Sequence, residues 1–304
     1  MAFTGATNPL TGTDSTDTLT RDIHAGVLEA LRRPTLIFNT IYKQTGTGGT
    51  GLRFIIEGKE DTADTNVASY ATSGTQINVT SGTQDELVIN FDRPQYVARR
   101  VDGWDEAVTN WGVMDMQGRQ IQTKLLNTID RKAIAAVEAA TTATGLVGNG
   151  DGTVVVNTVI ASATTPTTKG NALAESIIAA IAAIRGNDDF GDLHIMVDPI
   201  NYSYLLQSDK IVNTDYTSGN GGMDTGIVRT VGGATLIQTN NFPATAALEA
   251  IVYGMQAAGA AILWDVKTKI LDDADFLDAK RIQSYFSNGM ASLRCQSAAA
   301  VKSA

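Results

Sequence analysis

The chain has 304 residues, of which 43% are hydrophobic and 18% charged, and its formal net charge is -9. This composition is typical of a folded globular protein, and the negative charge gives a phosphate backbone no general attraction. The single cysteine, Cys295, excludes an intrachain disulfide framework, and no apolar stretch approaches the roughly 18 residues that a membrane-spanning helix needs.

The first twenty residues are rich in Thr, Gly and Asp and contain few large apolar side chains. Such a segment gains little from ordering by itself, so we expect an extended arm. It contains neither a basic leader nor an apolar signal core, which indicates a protein made and used in a cytoplasm. A short helix is predicted before Pro34, followed by an apolar strand or helix in TLIFNTIY.

Three glycines, Gly46, Gly48 and Gly51, fit the spacing of a dinucleotide-binding loop. That motif requires a helix directly after it, whereas LRFIIEG is typical of a strand, so we interpret the glycines as a hinge. Residues 52–57 are predicted to pair with residues 85–91 in a long hairpin. We expect this hairpin to lack a partner within its own chain and therefore to pack on another molecule.

A strand, YVARRV, follows Pro94 and leads into the strongest helical pattern of the sequence, over about 103–142. Its apolar residues recur at steps of three and four, apart from one wider gap around Gly118, from Trp104 to Val137. Asp102 is suited to cap its start. A continuous helix of this extent would be roughly 55–60 Å long at about 1.5 Å per residue. Such a helix serves as a backbone for other layers, and its Trp and Met stripe is interpreted as core.

The pairs Asn149-Gly150 and Asp151-Gly152 predict a hairpin turn, with a calcium loop as the alternative. Residues 171–186 then predict an amphipathic helix, and LHIMVDP a buried strand. Alternating helices and strands over 171–243 indicate a compact α/β layer. The final stretch alternates, with Ile282 and Phe286 on one face of a strand, and is expected to return to an earlier sheet. The acidic run LDDADFLD is interpreted as a solvated loop, with a metal site as the alternative.

Residues suited to catalysis are sparse. His24 and His194 are the only histidines, one near the arm and one in an apolar strand, so no catalytic triad or histidine metal site is predicted. Asp198 precedes Pro199 at the start of a predicted helix, where it can accept hydrogen bonds from the first amides. We interpret Asp198 as a cap. The sequence predicts no catalytic, cofactor-binding or metal-binding residue and no enzyme activity.

The order of these elements resembles the major capsid proteins of tailed phages with the HK97-like fold, an α+β fold. The resemblance rests on the ordered series and on VDPINYSYLL and VGGATLIQTNNFP, and it covers about 33–301. It implies an N-terminal arm at 1–33, an extended hairpin or E-loop at 46–91, and a spine helix at about 103–142. It further implies a peripheral domain at 34–45 and 92–170, an axial domain at 171–245, and a return to the peripheral domain at 246–304. The assignment of 143–170 within this peripheral range is left open.

The resemblance also implies a function and partners. The chain would self-assemble into hexamers and pentamers of an icosahedral head that matures from a procapsid and encloses double-stranded DNA without sequence-specific binding. A separate scaffolding protein and a portal protein at one vertex are expected partners, and a decoration protein is left open. The protein would be located in the virion capsid and assembled in the host cytoplasm, with no membrane contact. Some members crosslink a hairpin lysine; Lys59 lies in the hairpin, but no partner matches, so we expect no crosslink.

Two alternatives remain at this point. An encapsulin-like bacterial compartment shares the fold and would differ by a groove that binds a cargo enzyme. An enzyme of unknown class would use Asp198 and the glycine-rich loop at 217–226, and a ligand should then raise its melting temperature.

Overall fold

The computed structural model describes eight stretches of the chain: 37–57, 84–102, 113–144, 151–187, 189–212, 230–245, 247–272 and 279–304. They fall into two compact units. Unit 1 contains the described residues within 92–128 and 264–287, and unit 2 contains those within 35–91, 129–263 and 288–304. Several predicted features lie outside the described residues: the arm at 1–33, His24, Lys59, the helix start at 103–112, the 217–226 loop and most of the acidic run.

Unit 1 is built on an antiparallel pair of strands. β4 (Gln95–Asp102) pairs with β11 (Ala279–Ser292), with Tyr96 opposite Tyr285 and Arg99 opposite Ile282. Ile282, Ser284 and Phe286 are buried, as the predicted alternation requires. Val101, Ile121 and Ile282 form the buried cluster of this unit. The strand predicted after Pro94 is therefore confirmed.

The predicted spine helix is present as α1 (Val113–Ala140), which ends two residues before the predicted position. The apolar stripe is buried from Ile121 to Val137, with exposed fractions of 0–3% at Ile121, Leu125, Ile129, Ala133 and Val137. Asp130 on this helix is also buried, and its Oδ1 accepts hydrogen bonds from the backbone N–H groups of Ile37 and Phe38 at 2.9 and 3.1 Å. The carboxylate therefore fixes the chain that precedes β1 (Tyr42–Thr45) against the helix.

Unit 2 contains a six-stranded sheet in the order β5-β12-β9-β6-β8-β7. The strands are β5 (Thr153–Asn157), β6 (Leu193–Val197), β7 (Thr230–Val231), β8 (Ala234–Gln238), β9 (Leu248–Gly254) and β12 (Ala298–Ser303). β6 pairs in parallel with β8 and antiparallel with β9. The tight β7–β8 turn places Gly232 and Gly233 at φ values of 58° and 85°, which glycine adopts without strain.

Helices cover one face of this sheet, and alternate strand residues build two cores. α2 (Thr158–Ser162) and α3 (Pro166–Gly186) pack with Ile195, Val197 and Val252. α4 (Pro199–Leu205) and α5 (Asp209–Val212) follow β6 on that side, where Leu205 and Ile211 contact the same cluster. The last turns of α1 pack on the opposite face with Met196, Ile251 and Tyr253. The α/β layer is therefore as predicted.

Strand pairing extends this sheet beyond the block expected from the sequence. β12 pairs antiparallel with β9 and parallel with β5, so residues 153–157, 248–254 and 298–303 share a sheet with β6. The C-terminal return strand is confirmed. The hairpin turn predicted at 149–152 would pair β5 with the chain just before it. Among the described residues β5 pairs in parallel with β12. Residues 145–150 lie outside the described residues.

The base of the predicted hairpin, β2 (Gly51–Glu57) and β3 (Gln84–Asn90), forms an antiparallel pair with Leu52 opposite Ile89 and Phe54 opposite Leu87. The strand at β2 agrees with the rejection of a nucleotide loop at 46–51. The expectation that the hairpin lacks a partner within its chain is wrong for this base. Phe54, Ile56 and Ile89 are buried against Ala261 of β10 (Ala258–Asp272) and against Leu293. Sequence periodicity gives no information on this long-range contact.

Close backbone approach also ties the hairpin base to β11. A Cβ atom at Gly289 would lie 1.9 Å from the carbonyl oxygen of Asn90. Only glycine allows the two backbones to come this near. β1, which also belongs to unit 2, pairs in parallel with Gly259–Ile262 of β10, so the segment predicted as strand or helix after Pro34 ends in a strand.

Candidate functional site

Asp198 occupies the junction between β6 and α4. Its backbone is extended (φ -79°, ψ 163°), so Asp198 lies just before α4, and Pro199 is the first helical residue. The Asp198 Oδ1 accepts a hydrogen bond from the Asn201 N–H at 2.9 Å. The Asn201 side chain is buried and donates through Nδ2 to the Glu249 carbonyl at 2.9 Å, which links α4 to β9. The predicted capping role of Asp198 is confirmed.

An open cleft of about 610 Å³ lies beside this junction, and we name it the Asp198 cleft. Its lining comes from α3, the start of α4, the chain after β8 and the start of β9, namely Lys169, Asp198, Pro199, Ile200, Asn201, Asn240, Phe242, Pro243, Ala244, Thr245, Leu248 and Glu249. The Lys169 Nζ lies 3.7 Å from Glu249 Oε2 and 4.7 Å from the centre of the Tyr204 ring. These side chains are therefore engaged in structural contacts, in a lining that mixes polar and apolar residues.

Within the described residues the one histidine is His194 and the one cysteine is Cys295. His194 lies on β6 beside Tyr253, with ring centroids 5.6 Å apart, and its Nδ1 is buried without a hydrogen-bond partner in the described part of the chain. Burial lowers the pKa of His194, and the nearby Asp192 charge partly opposes this effect. Cys295 is buried near the Thr144 carbonyl, and burial raises the pKa of its thiol. Neither residue lines the Asp198 cleft.

The hairpin base presents an outer face that its own chain leaves exposed. The side chains of Ile55 and Val88 are 66% and 52% exposed, although residues on the other face of the same strands are buried. Arg53 and Glu86 form an ion pair on this outer face, with Nε and Oε2 3.0 Å apart. An anchored strand pair with a second, partly apolar face is suited to contact another molecule.

Sequence reasoning missed a projecting aromatic residue. Phe190 is 75% exposed in the short loop 189–192, which we name the Phe190 loop. The loop is shaped by the Asp189 side chain, whose Oδ1 accepts a hydrogen bond from the Gly191 N–H at 3.1 Å. Its signal in the sequence is a single large apolar residue within the polar turn NDDFGD.

In the stretches that the structure describes, no group of three or more His, Cys, Asp or Glu side chains is arranged to hold a metal ion. None of the helices described there combines the length and apolarity that crossing a membrane requires.

Comparison with known families decides the identity. A family model described as phage capsid protein matches residues 95–286, which include β4, α1, the helices and most of the strands of unit 2, and β10. The chain belongs to the phage capsid protein family. It is a structural major capsid protein, as the resemblance implied. The match does not favour the compartment shell or the enzyme of unknown class.

Solved structures show the same fold for this capsid protein. The capsid structure of cyanophage P-SCSP1u superposes with a TM-score of 0.79 at 23% identity, covering 100% of this chain and 99% of that chain. The mature capsid of bacteriophage PhiM1 gives 0.74 at 16% identity, covering 93% and 91%. The capsid of a native GTA particle gives 0.64 at 9% identity, covering 99% and 100%. Comparison with curated proteins gave no match. The predicted α+β capsid fold is confirmed.

Proposed function

We propose that this capsid protein self-assembles into hexamers and pentamers that close an icosahedral head around double-stranded DNA. The observation that carries this proposal is the outer face of the hairpin base. Its inner face is fixed on its own chain, so Ile55 and Val88 are held in position while they remain exposed. Burying such a face against a neighbouring subunit stabilises a repeated, symmetric contact.

The overall charge supports the proposed relation to DNA. A formal net charge of -9 disfavours general attraction to phosphate, so packaged DNA would be enclosed rather than bound in a sequence-specific way. We propose that assembly takes place in the host cytoplasm with a separate scaffolding protein and a portal protein at one vertex.

A purely structural role, without enzyme activity, accounts for the residues at the Asp198 cleft. Asp198 holds the first turn of α4, and Glu249 pairs with Lys169. We propose that the six-stranded sheet and its helices form the axial domain and that β4, β11 and the first part of α1 belong to the peripheral domain. The strand pairing of 153–157, 248–254 and 298–303 with this sheet supports wider axial bounds than 171–245.

Assembly is tested by producing the protein together with the scaffolding protein of its phage. We expect closed shells in sedimentation velocity, and hexamers and pentamers in electron micrographs of the sedimenting fraction. Density beyond the capsid protein on the outer surface would identify a decoration protein. A small monodisperse species with and without the scaffold, at all protein concentrations tested, would refute the proposed function.

A further inference from the structure

Asp130 is an exception within the buried part of α1. Its exposed fraction is 1%, and its helical neighbours Ile129, Ala133 and Ile134 are buried apolar residues. Burying a carboxylate costs free energy unless hydrogen bonds compensate, and an apolar side chain would fill such a position without that cost. The groups that Asp130 holds therefore have to explain why a carboxylate occupies this position.

Asp130 holds two successive backbone amides from a distant part of the chain. Its Oδ1 accepts hydrogen bonds from the N–H groups of Ile37 and Phe38, which lie 93 and 92 positions away in the sequence. A hydrogen bond to an ionised acceptor is roughly twice as strong as a neutral one, and successive N–H groups that converge on one anion hold it firmly. Asp130 therefore fixes both the position and the orientation of this backbone.

The first of these amides is the one through which residues 1–36 enter the described fold. The Ile37 N–H belongs to the peptide group between residues 36 and 37. A peptide group is planar, so a hydrogen bond to its N–H orients the whole group. The bond to Asp130 therefore acts on the direction in which the preceding chain leaves this point.

β9 holds the same turn, which we name the 37–41 turn. The Thr40 Oγ1 donates to the Ile37 carbonyl at 2.8 Å and lies 2.7 Å from the hydroxyl oxygen of Tyr253, within hydrogen-bond distance. Ile37 and Ile41 are buried in the same core cluster as Tyr253. The turn is therefore fixed on α1 and on β9, and Asp130 acts on its first residue.

The start of the chain offers little for packing on its own subunit. Its first twenty residues are rich in Thr, Gly and Asp and contain few large apolar side chains. Such a segment gains little from ordering by itself, so the surface that it meets decides its contacts. The direction set at the 37–41 turn decides which surface that is.

We propose that Asp130 is a positioning residue for assembly, whose two hydrogen bonds direct residues 1–36 toward a neighbouring subunit. This inference rests on the proposed function and adds that the N-terminal arm contributes to the contacts between subunits. Asp130 acts through the 37–41 turn and does not itself touch the neighbour.

Distance measurements on the unassembled subunit test the positioning. Spin labels are attached at Thr35→Cys, just before the 37–41 turn, and at Ile178→Cys, an exposed residue of α3, in a chain with Cys295→Ser. We expect one narrow distance distribution by double electron–electron resonance. After Asp130→Ala the distribution should become at least about twofold broader.

The same substitution is then compared in assembly with a matched control. Asp130→Ala chains produced with the scaffold should form at least about tenfold fewer closed shells in sedimentation velocity, at a temperature where circular dichroism shows folded subunits. The control, Asn201→Ala, removes another buried hydrogen bond of unit 2, the one from Asn201 Nδ2 to the Glu249 carbonyl. It should leave both the distance distribution and the yield of shells unchanged.

Thr40→Val provides a second variant if Asp130→Ala does not fold, because it removes the bonds to Ile37 and Tyr253 without altering a buried charge. It should broaden the distribution and reduce the yield of shells. An unchanged distribution, or normal shells despite a broadened one, would overturn the inference and leave the proposed function standing. An equal loss of shells with Asn201→Ala would also overturn it. Failure of the unsubstituted chain to form shells would instead count against the proposed function.

Discussion

Asp198 shows how one residue type at one position can indicate two different roles. A carboxylate after a buried strand and before a helix occurs both in active sites and as a helix cap. The structure gives it the second role through the 2.9 Å bond from the Asn201 N–H to Oδ1. The carboxylate is held by the first turn of α4, at the edge of a cleft lined by both polar and apolar residues.

The capping role predicts different outcomes for two substitutions. Asp198→Asn should leave the free energy of unfolding nearly unchanged because an amide oxygen accepts the same bond, whereas Asp198→Ala should lower it by about 0.5–2 kcal/mol. Urea unfolding of the unassembled subunit, followed by circular dichroism, measures both values. Equal stability of the Ala variant and the unsubstituted protein would contradict the capping role.

His194 predicts a dependence of stability on pH. Burial lowers its pKa in the folded protein below the unfolded value of 6.5, so the unfolded state takes up a proton first as the pH falls. Its contribution to stability is therefore constant above about pH 7 and decreases as the pH falls through about 6.5. His194→Gln should make the free energy of unfolding fall less between pH 7 and 5, as measured by urea titrations at each pH.

Asp192 supplies a second variant for the same question. Its charge raises the pKa of His194, so Asp192→Asn should lower that pKa further and deepen the loss of stability at acid pH. Parallel pH profiles for the unsubstituted protein and His194→Gln would show that His194 does not contribute to the acid sensitivity.

Among the elements, the hairpin base has two faces with different roles. Phe54 packs inward with Ala261 and Leu293, while Ile55, the next residue of the strand, points outward. The inner face fixes the hairpin on its own chain, and the outer face is available to a neighbour. One short strand therefore contributes to folding and to assembly through alternate residues.

Two alanine substitutions on adjacent residues separate these roles. Phe54→Ala should destabilise the isolated subunit by about 3–5 kcal/mol because it removes a buried aromatic ring. Ile55→Ala should change subunit stability by less than about 1 kcal/mol and should reduce the yield of shells. Thermal unfolding and sedimentation velocity, measured on both variants, provide the comparison. A loss of subunit stability with Ile55→Ala as large as with Phe54→Ala would show that both faces belong to the subunit core.

For the whole molecule, folding and assembly are expected to be separable. Glu57 and Gln84 lie directly opposite each other at the end of the β2–β3 pair. A two-residue turn can join strands whose ends meet in this way. Residues 58–83 carry mostly acidic and small polar side chains and few large apolar ones, so their sequence offers little to a buried core.

Replacing residues 58–83 by Asn-Gly should therefore preserve the folded subunit and prevent shell formation. The expected result is an unchanged circular dichroism spectrum, a melting temperature close to that of the unsubstituted protein, and loss of the rapidly sedimenting species. The physical reason is that these residues contribute contacts to neighbours in the proposed assembly. Normal shells from this variant would contradict the role of the hairpin in assembly, and global unfolding would place the segment in the subunit core.

The sequence by itself determined the features that depend on local periodicity. The stripe from Ile121 to Val137 required a helix, and the alternation from Ile282 to Phe286 required a strand with one buried face. The Asp198-Pro199 pair specified the start of α4, because the Asp198 side chain accepts a hydrogen bond from the first turn and the fixed φ of Pro199 suits the first helical position. The ordered series of these elements indicated a capsid protein because a series of elements in a given order is more specific than any one of its motifs.

The tertiary structure decided the features that depend on contacts between distant parts of the chain. The pairing of β12 with β5 and β9, and the packing of Phe54 on Leu293, join residues far apart in sequence. Local composition is the same whether such partners lie in the same chain or in another copy, so the hairpin base was wrongly expected to lack a partner. The Asp198 cleft and the projecting Phe190 likewise emerged only when β6 fixed them at its two ends.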